Sequence, residues 1–373
     1  MDIRKNLFTY PHVYNHEDTN ALFFDAFKDT VRFHQHSCPE YRALLEHEGF
    51  TFDTLTSYDA LSTIPALPTL FLKSHTLLSI PEHKLRMRST TSGTKGTPSI
   101  VGLDTKSMYY GFIMLRKTCS YWKLFSARPT NYIILGYQPS KRNEMGAVKT
   151  AFGATLLAPA KRKEYALKDI GDSYVVNIEG VYNTLLSYSR QNAPVRLLGF
   201  PSYMYFLLRA LQKDGVKLVL PKHSKVLLGG GWKQFFAEQM DKTALYEMIK
   251  EMLGIPEESC KEFFGVVEHP VPYFDCPHHH FHVPAYSRVI IRDTKTLQPV
   301  GFGKPGLLNL LTPLLRSMPL HSVITDDIAV LREGGECGCG IKTPYFDVFG
   351  RSGVQGIKTC AAGAKELLQE STS

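Results

Sequence analysis

The chain contains 373 residues, of which 43% are hydrophobic and 21% are charged. This length suits one large or two ordinary domains, and the composition is typical of a globular protein rather than a disordered one. The formal net charge is +8, because 43 lysines and arginines outnumber 35 aspartates and glutamates. A positive charge favours anionic partners. The basic residues are scattered and form no nucleic-acid motif, so we expect no nucleic-acid partner.

The pattern of targeting signals and of cysteines limits the cellular compartments in which we expect this protein. No run of about 18 apolar residues is present, so the sequence predicts no membrane span. Residues 1–9 lack the apolar core of a secretory peptide. The seven cysteines are odd in number and unevenly spaced, which argues against a disulfide framework. We therefore expect a cytoplasmic protein, and the sequence leaves the oligomeric state open.

The first elements of the chain are predicted to be mostly helical. Residues 16–50 carry apolar side chains at a roughly helical spacing, which predicts helix as far as Gly49. Residues 64–69 contain two prolines, which lack N–H groups, so we expect an extended segment there. A further helix is predicted over residues 105–124, and its apolar residues on or near one face are Met108, Phe112, Leu115 and Cys119.

Strands and helices then alternate before the chain changes character. Strands are predicted at residues 132–136, 173–178, 195–199 and 225–228, and helices at residues 181–191, 202–212 and 235–253. This alternation implies a largely parallel sheet covered on both faces. Short strands with turn residues between them are predicted at residues 286–292, 306–312, 322–332 and 345–349. We therefore predict an α/β body over residues 1–285, a β-rich module of the same domain over residues 286–350, and a short tail over residues 351–373.

Residues 90–96 read Thr-Thr-Ser-Gly-Thr-Lys-Gly and contain groups that suit phosphate oxygens. Glycines let backbone N–H groups approach a ligand closely, and hydroxyls with N–H groups form a concave set of donors. Lys95 adds a positive charge. The spacing is not that of a Walker loop. The segment is either a phosphate-binding loop or an ordinary solvated loop.

Two other segments follow apolar stretches of the chain. Gly229-Gly230-Gly231 comes directly after a predicted strand, the position where ligands sit in parallel α/β sheets. A flat adenine could lie on this backbone, and a tight turn is the alternative. Residues 264–268 read Phe-Gly-Val-Val-Glu and end another apolar stretch. The aromatic ring could stack on adenine, and Glu268 could hold Mg²⁺ near phosphates.

These segments together resemble the motifs of adenylate-forming enzymes, which activate carboxylic acids with ATP. Residues 90–96 are similar to the phosphate-binding loop of that family, and residues 264–268 to its aromatic-Gly-x-Thr-Glu motif, with Val267 in place of threonine. Residues 324–328 resemble its Thr-Gly-Asp motif. Residues 349–351 match the Gly-Arg at its hinge. The motifs occur in the order of the family, and the resemblance runs from about residue 64 to the C-terminus.

The resemblance implies a fold and a role for each motif. The expected fold is the large N-terminal domain of these enzymes, with mostly parallel sheets covered by helices, followed by the β-rich module and only a short tail in place of the usual C-terminal domain. Glu268 would hold Mg²⁺, Asp327 would accept hydrogen bonds from the ribose hydroxyls, and Arg351 would reach the phosphates or the ribose. Lys95 would act on the phosphates. The remaining expected contacts with ATP are Thr90, Thr91, Ser92, Gly93, Thr94, Gly229, Gly230, Gly231, Phe264 and Gly265.

The C-terminal segment resembles one branch of the family, the acyl-protein synthetases of bacterial luminescence. Residues 356–362 read Gly-Ile-Lys-Thr-Cys-Ala-Ala and place one cysteine among small residues. Proteins of this branch activate a fatty acid as acyl-AMP and move the acyl group to their own C-terminal cysteine, from which it passes to a reductase. The resemblance gives this role to Cys360, and Lys358 could lower the pKa of its thiol. A bystander thiol in a flexible tail is the alternative.

A Cys-x-Cys pair suggests a zinc site. Cys337 and Cys339 follow Cys276 by about sixty residues, and Cys276 begins a segment with four histidines. Zinc favours four such ligands in a tetrahedron, and four protein ligands make a structural site. We choose Cys276, His282, Cys337 and Cys339. His278, His279 or His280 could replace His282, and these three could also be a surface loop. Some phenylacetate-type ligases contain a similar element, whereas the luminescence proteins lack it.

Two other functions remain open. An aryl- or acyl-CoA ligase would use the thiol of CoA as acceptor, although its catalysis normally needs the C-terminal domain. A zinc-stapled scaffold without turnover would instead deliver a reductase or an acyl carrier protein. The sequence does not distinguish an aliphatic from an aromatic acid or give the length of an acyl chain. Our prediction is an acid–thiol ligase that uses ATP and Mg²⁺, with a carboxylic acid as substrate.

Overall fold

The computed structural model describes residues 2–91, 97–232 and 240–351. The chain divides into two compact units. Unit 1 consists of Met1–Tyr121 and Val266–Ser373, and unit 2 of Trp122–Gly265. The boundary predicted at residue 285 lies inside unit 1, and the division into body, module and tail stays a prediction.

The described helices of unit 1 are α1 (Arg4–Thr9), α2 (Asn20–Ser37), α3 (Pro39–His47) and α4 (Thr105–Tyr121). The helical region predicted over residues 16–50 is therefore divided at Cys38, which has an extended backbone conformation. The cause is Pro39, because a residue that precedes proline is disfavoured in the helical region. Proline itself suits the first position of α3, where its missing N–H would have no helical partner.

Helix α4 confirms the predicted helix, but of the four residues predicted on its apolar face only Cys119 is buried. Its buried residues are Ser107, Tyr110, Met114, Thr118 and Cys119. Phe112 is 65% exposed, and Met108 and Leu115 are exposed as well. Burial of Thr118 is tolerated because its hydroxyl donates to the Met114 carbonyl at 2.9 Å.

Unit 1 contains one large sheet of mostly antiparallel strands. Its strands are β1 (Leu67–Pro68), β11 (Phe281–His282), β12 (Arg288–Arg292), β13 (Pro299–Val300), β14 (Pro305–Leu311), β15 (Ser322–Arg332) and β16 (Tyr345–Arg351). They lie in the order β11-β16-β15-β14-β12-β13, and β1 pairs in parallel with β15. The strands predicted in the last third are therefore present, and they share a sheet with β1 from the N-terminal part. A separate hairpin joins β2 (Met87–Thr90) to β3 (Ile100–Leu103), and β10 covers His269–Phe274.

A buried arginine fixes the segment that leads into β1. The Arg292 guanidinium donates to the carbonyls of Ser62 and Ile64, each at 3.0 Å. Its Nε donates to Asn309 Oδ1 at 2.8 Å, and Asn309 in turn donates to the Val323 carbonyl of β15. Because prolines supply no N–H groups to a sheet, these side-chain bonds attach the extended segment predicted at residues 64–69.

Unit 2 is built on a parallel sheet, as predicted. Its strands are β4 (Thr130–Tyr137), β5 (Ala160–Asp169), β6 (Tyr174–Val176), β7 (Val195–Gly199), β8 (Lys225–Gly229) and β9 (Cys260–Val266). They lie in the order β9-β8-β7-β4-β5-β6, and only β6 is antiparallel to its neighbour. The described helices are α5 (Gly146–Ala154), α6 (Ile178–Ser189), α7 (Pro201–Lys213) and α8 (Lys242–Leu253).

The core of unit 2 lies between its strands and the helices that connect them. Strand residues Ile133, Leu197 and Val226 pack in one buried cluster with Leu207 of α7 and Ile249 of α8. The central strands β4, β7 and β8 contain apolar runs because a parallel sheet is covered by helices. Among the described residues, every helix of the chain is too short or too polar to cross a membrane.

Candidate functional site

The hairpin of β2 and β3 positions the described ends of the predicted phosphate loop. Thr90 pairs with Ile100 across the hairpin. The N–H of Thr91 donates to the Ser99 carbonyl at 3.1 Å, and the N–H of Ser99 donates to the Thr91 hydroxyl at 2.9 Å. The predicted loop residues Ser92, Gly93, Thr94 and Lys95 lie outside the described residues.

Glu268 lies between β9 and β10 and is only 3% exposed. Burial raises the pKa of its carboxyl. Its own backbone N–H, the Ser99 hydroxyl and the positive charge of Lys73 act in the opposite direction, whereas the negative charge of Asp326 raises the pKa further. The hairpin, the segment after β1 and strand β15 therefore all contribute a polar group near this carboxylate.

Asp327 lies in an irregular part of β15. Ile324 pairs with Asn309, and Ile328 pairs with Leu307, so four steps along β15 correspond to two steps along β14. The bulge re-aims side chains locally, a device that is frequent beside active sites. Asp327 is buried, and its N–H donates to the Thr325 hydroxyl at 3.1 Å.

Strand β16 brings a second predicted residue to this end of the sheet. The cross-strand partner of Asp327 is Arg351. Strand β1 pairs in parallel with Val323 and Ile324, and the Thr69 N–H donates to the Ile324 carbonyl at 3.0 Å. These bonds attach to β15 the segment that leads to Lys73, whose positive charge acts on Glu268. Unit 1 thus gathers Glu268, Asp326, Asp327 and the backbone of Arg351, with Lys73 near Glu268.

Two members of this group were not assigned from the sequence. In the Thr-Gly-Asp motif that residues 324–328 resemble, Asp326 occupies the glycine position, and neither it nor Lys73 is among the site residues predicted from the sequence. The signal for Lys73 in the sequence is its position shortly after the extended segment at residues 64–69. The prolines of that segment restrict the path of the chain that leads to Lys73. The signal for Asp326 was a second carboxylate next to Asp327.

The glycine segment predicted to meet adenine lies in unit 2, at the carboxyl end of β8. Gly229 pairs with Phe263, and a Cβ on Gly229 would stand 2.4 Å from the Phe263 ring. Gly230 and Gly231 have φ angles of 84° and 67°, a left-handed conformation that favours glycine. Phe264 and Gly265 lie close to the carboxyl end of the neighbouring strand β9, so the structure brings these five predicted residues to the same end of two adjacent strands.

A second cluster in unit 1 contains the four residues predicted to bind zinc. The ligand atoms of Cys276, His282, Cys337 and Cys339 all lie within 4.8 Å of one another. Cys276 Sγ is 3.5 Å from Cys337 Sγ, and Cys339 Sγ is 3.2 Å from His282 Nε2. All but Cys339 are buried. A cluster of this composition and size has the donor set of a single soft divalent ion.

Neighbouring backbone groups orient the cluster. His282 Nδ1 lies 2.7 Å from the Thr343 carbonyl, which leaves Nε2 toward Cys339. The His278 N–H donates to Cys276 Sγ at 3.3 Å. Burial, together with the adjacent thiols of Cys339 and Cys276, raises the pKa of Cys337 to about 12, and burial raises the pKa of Cys276 and lowers that of His282.

The three adjacent histidines have other neighbours. His278 Nδ1 contacts the Cys337 carbonyl, and lies 3.9 Å from Cys337 Sγ. His279 pairs with Asp275 at 3.5 Å, and His280 pairs with Asp347 at 2.6 Å. Of the four histidines, only His282 has a ring nitrogen inside the cluster as far as the described residues show.

Comparison with solved structures defines the class of fold. A crystal structure of 2-hydroxyisobutyryl-CoA ligase aligns with 91% of this chain and 71% of its own, with a TM-score of 0.66 and 13% sequence identity. The fold is that of adenylate-forming ligases. The fold class predicted from the motifs, a mixed α/β body with a β-rich module, is confirmed.

Sequence comparison defines the family within that class. The family model described as "Acyl-protein synthetase, LuxE" matches residues 5–369, so the chain belongs to this family. A long-chain-fatty-acid–luciferin-component ligase of Vibrio harveyi is 23% identical over 94% of this chain and 89% of its own. The corresponding ligase of Aliivibrio fischeri is 21% identical over 97% and 93%. A phenylacetate–coenzyme A ligase of Aromatoleum evansii is 23% identical over 85% and 72%. Family membership makes the chain a ligase that activates acyl groups with ATP.

Proposed function

We propose that this chain activates a long-chain carboxylic acid as acyl-AMP and then transfers the acyl group to the thiol of its own Cys360. In the first step a carboxylate oxygen attacks the α-phosphorus of ATP and pyrophosphate leaves. In the second step a thiolate attacks the acyl carbon, and AMP leaves as a thioester forms. The observation that carries the proposal is the match of the acyl-protein synthetase family to residues 5–369.

The acidic group of unit 1 supports the first step. Glu268 and Asp326 supply carboxylate oxygens, the ligands that Mg²⁺ prefers. Glu268 is held in a buried position beside the hairpin that leads into the predicted phosphate loop. When bound there, Mg²⁺ would offset the charge of the phosphates. We assign Asp327 to the ribose hydroxyls and Arg351 to the phosphates or ribose, because the two strands place these residues opposite one another.

Five residues of unit 2 are assigned to the adenine of ATP on the motif resemblance. Gly229, Gly230 and Gly231 leave a backbone surface without side chains, and a flat base can stack against such a surface. Phe264 lies at the end of the adjacent strand and is assigned to the same base. These assignments, like those of Thr90, Thr91, Ser92, Gly93, Thr94 and Lys95 to the phosphates, rest on the motif resemblance.

The second step is assigned to Cys360 on its sequence context. A thiolate is a far better nucleophile than a thiol, and AMP is a better leaving group than the oxygen of a free carboxylate. Lys358 is two residues away and would favour the thiolate. The thioester retains enough reactivity to pass the acyl group to a reductase or an acyl carrier protein, which we propose as the partner.

One experiment separates the two steps. The purified chain is tested for ATP–pyrophosphate exchange with fatty acids of several lengths and with aryl acids, and then for covalent labelling by the best acid. We expect exchange with fatty acids and a label that neutral hydroxylamine removes. The Cys360→Ser protein should keep exchange and lose the label. Equal hydroxylamine-sensitive labelling of both proteins would exclude Cys360 as acceptor.

A CoA ligase is the second candidate, because a phenylacetate–coenzyme A ligase covers 85% of this chain at 23% identity. In that case CoA rather than Cys360 would attack the adenylate. Release of AMP that depends on added CoA, with no label on the protein, would favour the CoA ligase. Absence of exchange with every acid tested would contradict both functions and favour a scaffold role.

A further inference from the structure

The cysteine and histidine cluster lies outside the machinery proposed for adenylation. It joins three separate pieces of unit 1, namely the connection between β10 and β11, strand β11 itself, and the connection between β15 and β16. We propose that Cys276, His282, Cys337 and Cys339 bind one zinc ion, and that this ion fixes the hairpin of β15 and β16 that carries Asp327. The proposal concerns a structural metal and does not depend on the acyl acceptor.

The distances suit a single ion. Bonds of about 2.3 Å to sulfur in a tetrahedron place neighbouring ligand atoms about 3.8 Å apart. The four ligand atoms all lie within 4.8 Å of one another, and the distances of 3.5 Å and 3.2 Å lie near the edge of such a tetrahedron. A disulfide needs about 2.05 Å between sulfurs, so the Cys276–Cys337 pair is not one. The three thiols are free.

The donor set selects zinc. Three thiols and one imidazole are soft or borderline ligands, whereas Mg²⁺ and Ca²⁺ take oxygen. Four protein ligands fill a tetrahedron and leave no position for substrate or water, which is the arrangement of structural sites. We therefore assign no reaction step to the ion.

The surroundings resemble those that orient zinc ligands in proteins. A metal-binding histidine ordinarily donates its other ring N–H to a carbonyl or carboxylate. His282 fits this rule, because Nδ1 faces the Thr343 carbonyl at 2.7 Å while Nε2 faces Cys339. The N–H of His278 donates to Cys276 Sγ, which would stabilise a bound thiolate. These contacts favour His282 over the three adjacent histidines as the fourth ligand.

The position of the cluster gives the ion its role. Cys337 and Cys339 lie in the connection over residues 333–344, at the closed end of the hairpin. His282 pairs with Tyr345 at the start of β16, so the ion would attach β11 to that end. Asp327 and Arg351 pair at the open end of the same hairpin, five residues or roughly 17 Å along the strand. The ion would thus hold the register of the two strands without contacting the nucleotide.

Metal content tests the ligand set directly. The full chain, purified without chelator, should contain one zinc per molecule by plasma mass spectrometry. The variants His282→Ala and Cys337→Ala should lose at least nine-tenths of it. The matched controls are His278→Ala, which removes an adjacent histidine, and Cys119→Ala, which removes a buried thiol of α4. Both controls should keep one zinc.

A second measurement keeps the test decisive if a ligand variant fails to fold. Wild-type protein refolded with Co²⁺ in place of zinc should show the intense visible absorption of a tetrahedral site with thiolate ligands. One equivalent of zinc should abolish that absorption. Hydrogen exchange of residues 322–332 and 345–351 should accelerate at least tenfold when a chelator removes the ion.

Several results would overturn the proposal. These are a zinc content well below one per chain, full zinc retention by the His282→Ala protein, and a Cys276–Cys337 disulfide found by mass spectrometry in freshly purified protein. All of these readouts are made without ATP or acid. A failure of the metal site is therefore distinguishable from a failure of the proposed ligase activity.

Discussion

The cysteine and histidine cluster and the acidic group of unit 1 lie at opposite ends of the hairpin of β15 and β16 but are built differently. The cluster takes its four ligands from segments that are tied together by strand pairing and backbone hydrogen bonds. The acidic group takes Glu268 from the chain between β9 and β10, and Asp326 from a bulge in β15. The cluster offers four protein ligands to a single ion, whereas we assign the acidic group to an external ligand, ATP with Mg²⁺.

This difference teaches what each group can do. A cluster whose four metal ligands are all protein side chains leaves no position for a substrate, so its expected role is to stabilise the fold. An acidic group with like charges and a buried carboxylate is unfavourable by itself and becomes favourable when a cation binds. The first arrangement is expected of a structural site and the second of a site for charged ligands. The following experiments test this contrast.

Loss of a metal ligand should have the largest effect on stability. We expect Cys337→Ala to lower the free energy of unfolding by about 3 kcal/mol or more, because structural zinc contributes its binding energy to folding. Cys119→Ala, the same change at another buried cysteine of unit 1, should lower it by about 1–2 kcal/mol. Urea unfolding in the presence of zinc measures both. An equal decrease in the free energy of unfolding of the two variants would contradict a stabilising metal site at the cluster.

Removal of Asp327, the carboxylate that we assign to the ribose hydroxyls, should reduce activity. Asp327→Ala is expected to reduce ATP–pyrophosphate exchange about 100-fold, since a hydrogen bond to a charged group contributes roughly 1.5–3 kcal/mol. Asp172→Ala is the control, because that carboxylate is exposed and its ion pair with Arg142 is exposed as well. Its exchange rate should be unchanged. An Asp327→Ala protein with normal exchange and a normal KM for ATP would contradict the assignment.

A glycine at the sheet edge of unit 2 offers a steric test. Gly229→Ala would place a methyl group 2.4 Å from the Phe263 ring, so we expect destabilisation of about 1–3 kcal/mol. Gly153→Ala in α5 meets no atom within 4 Å and should stabilise by up to about 1 kcal/mol. Thermal unfolding of the two variants checks the opposite signs. A neutral Gly229→Ala variant would show that the Phe263 ring moves freely.

The last prediction concerns how the difference in stability between a Glu268 variant and the wild type depends on pH. Burial raises the pKa of Glu268 above its ordinary 4.5, so the stability it contributes is full below pH 4.5 and is lost as the pH rises through the raised value. Glu268→Gln carries no such charge. We therefore expect the variant to exceed the wild type in stability at pH 7, to lose that advantage below pH 4.5, and to lose exchange activity. Urea unfolding at pH 7 and pH 4 measures the difference. A variant that is less stable than the wild type by the same amount at both pH values would contradict the buried-charge argument.

The sequence predicted elements best where one force determined them. Strand β7 begins and ends where the apolar run at residues 195–199 does, because a central parallel strand is buried on both faces. The sequence predicted less where tertiary contacts rather than the local apolar pattern determined the structure. Strand β5 was missed because its first residues, Ala160, Lys161 and Arg162, are exposed and carry no apolar pattern. The buried face of α4 was not evident, because hydroxyl groups that bond locally occupy positions normally taken by apolar residues.

The sequence by itself determined the order of the motifs, the type of the unit 2 sheet and a group of cysteines and histidines able to bind one soft metal ion. These follow from residue chemistry, strand-length apolar runs and the small number of residue types that bind a soft metal. Only the tertiary structure decided that His282 faces the three thiols while its neighbours pair elsewhere, and that Lys73 and Asp326 lie beside Glu268. The direction of these side chains depends on strand register and on a bulge. A change in either moves a side chain from one face of the sheet to the other, and local residue preferences do not reveal it.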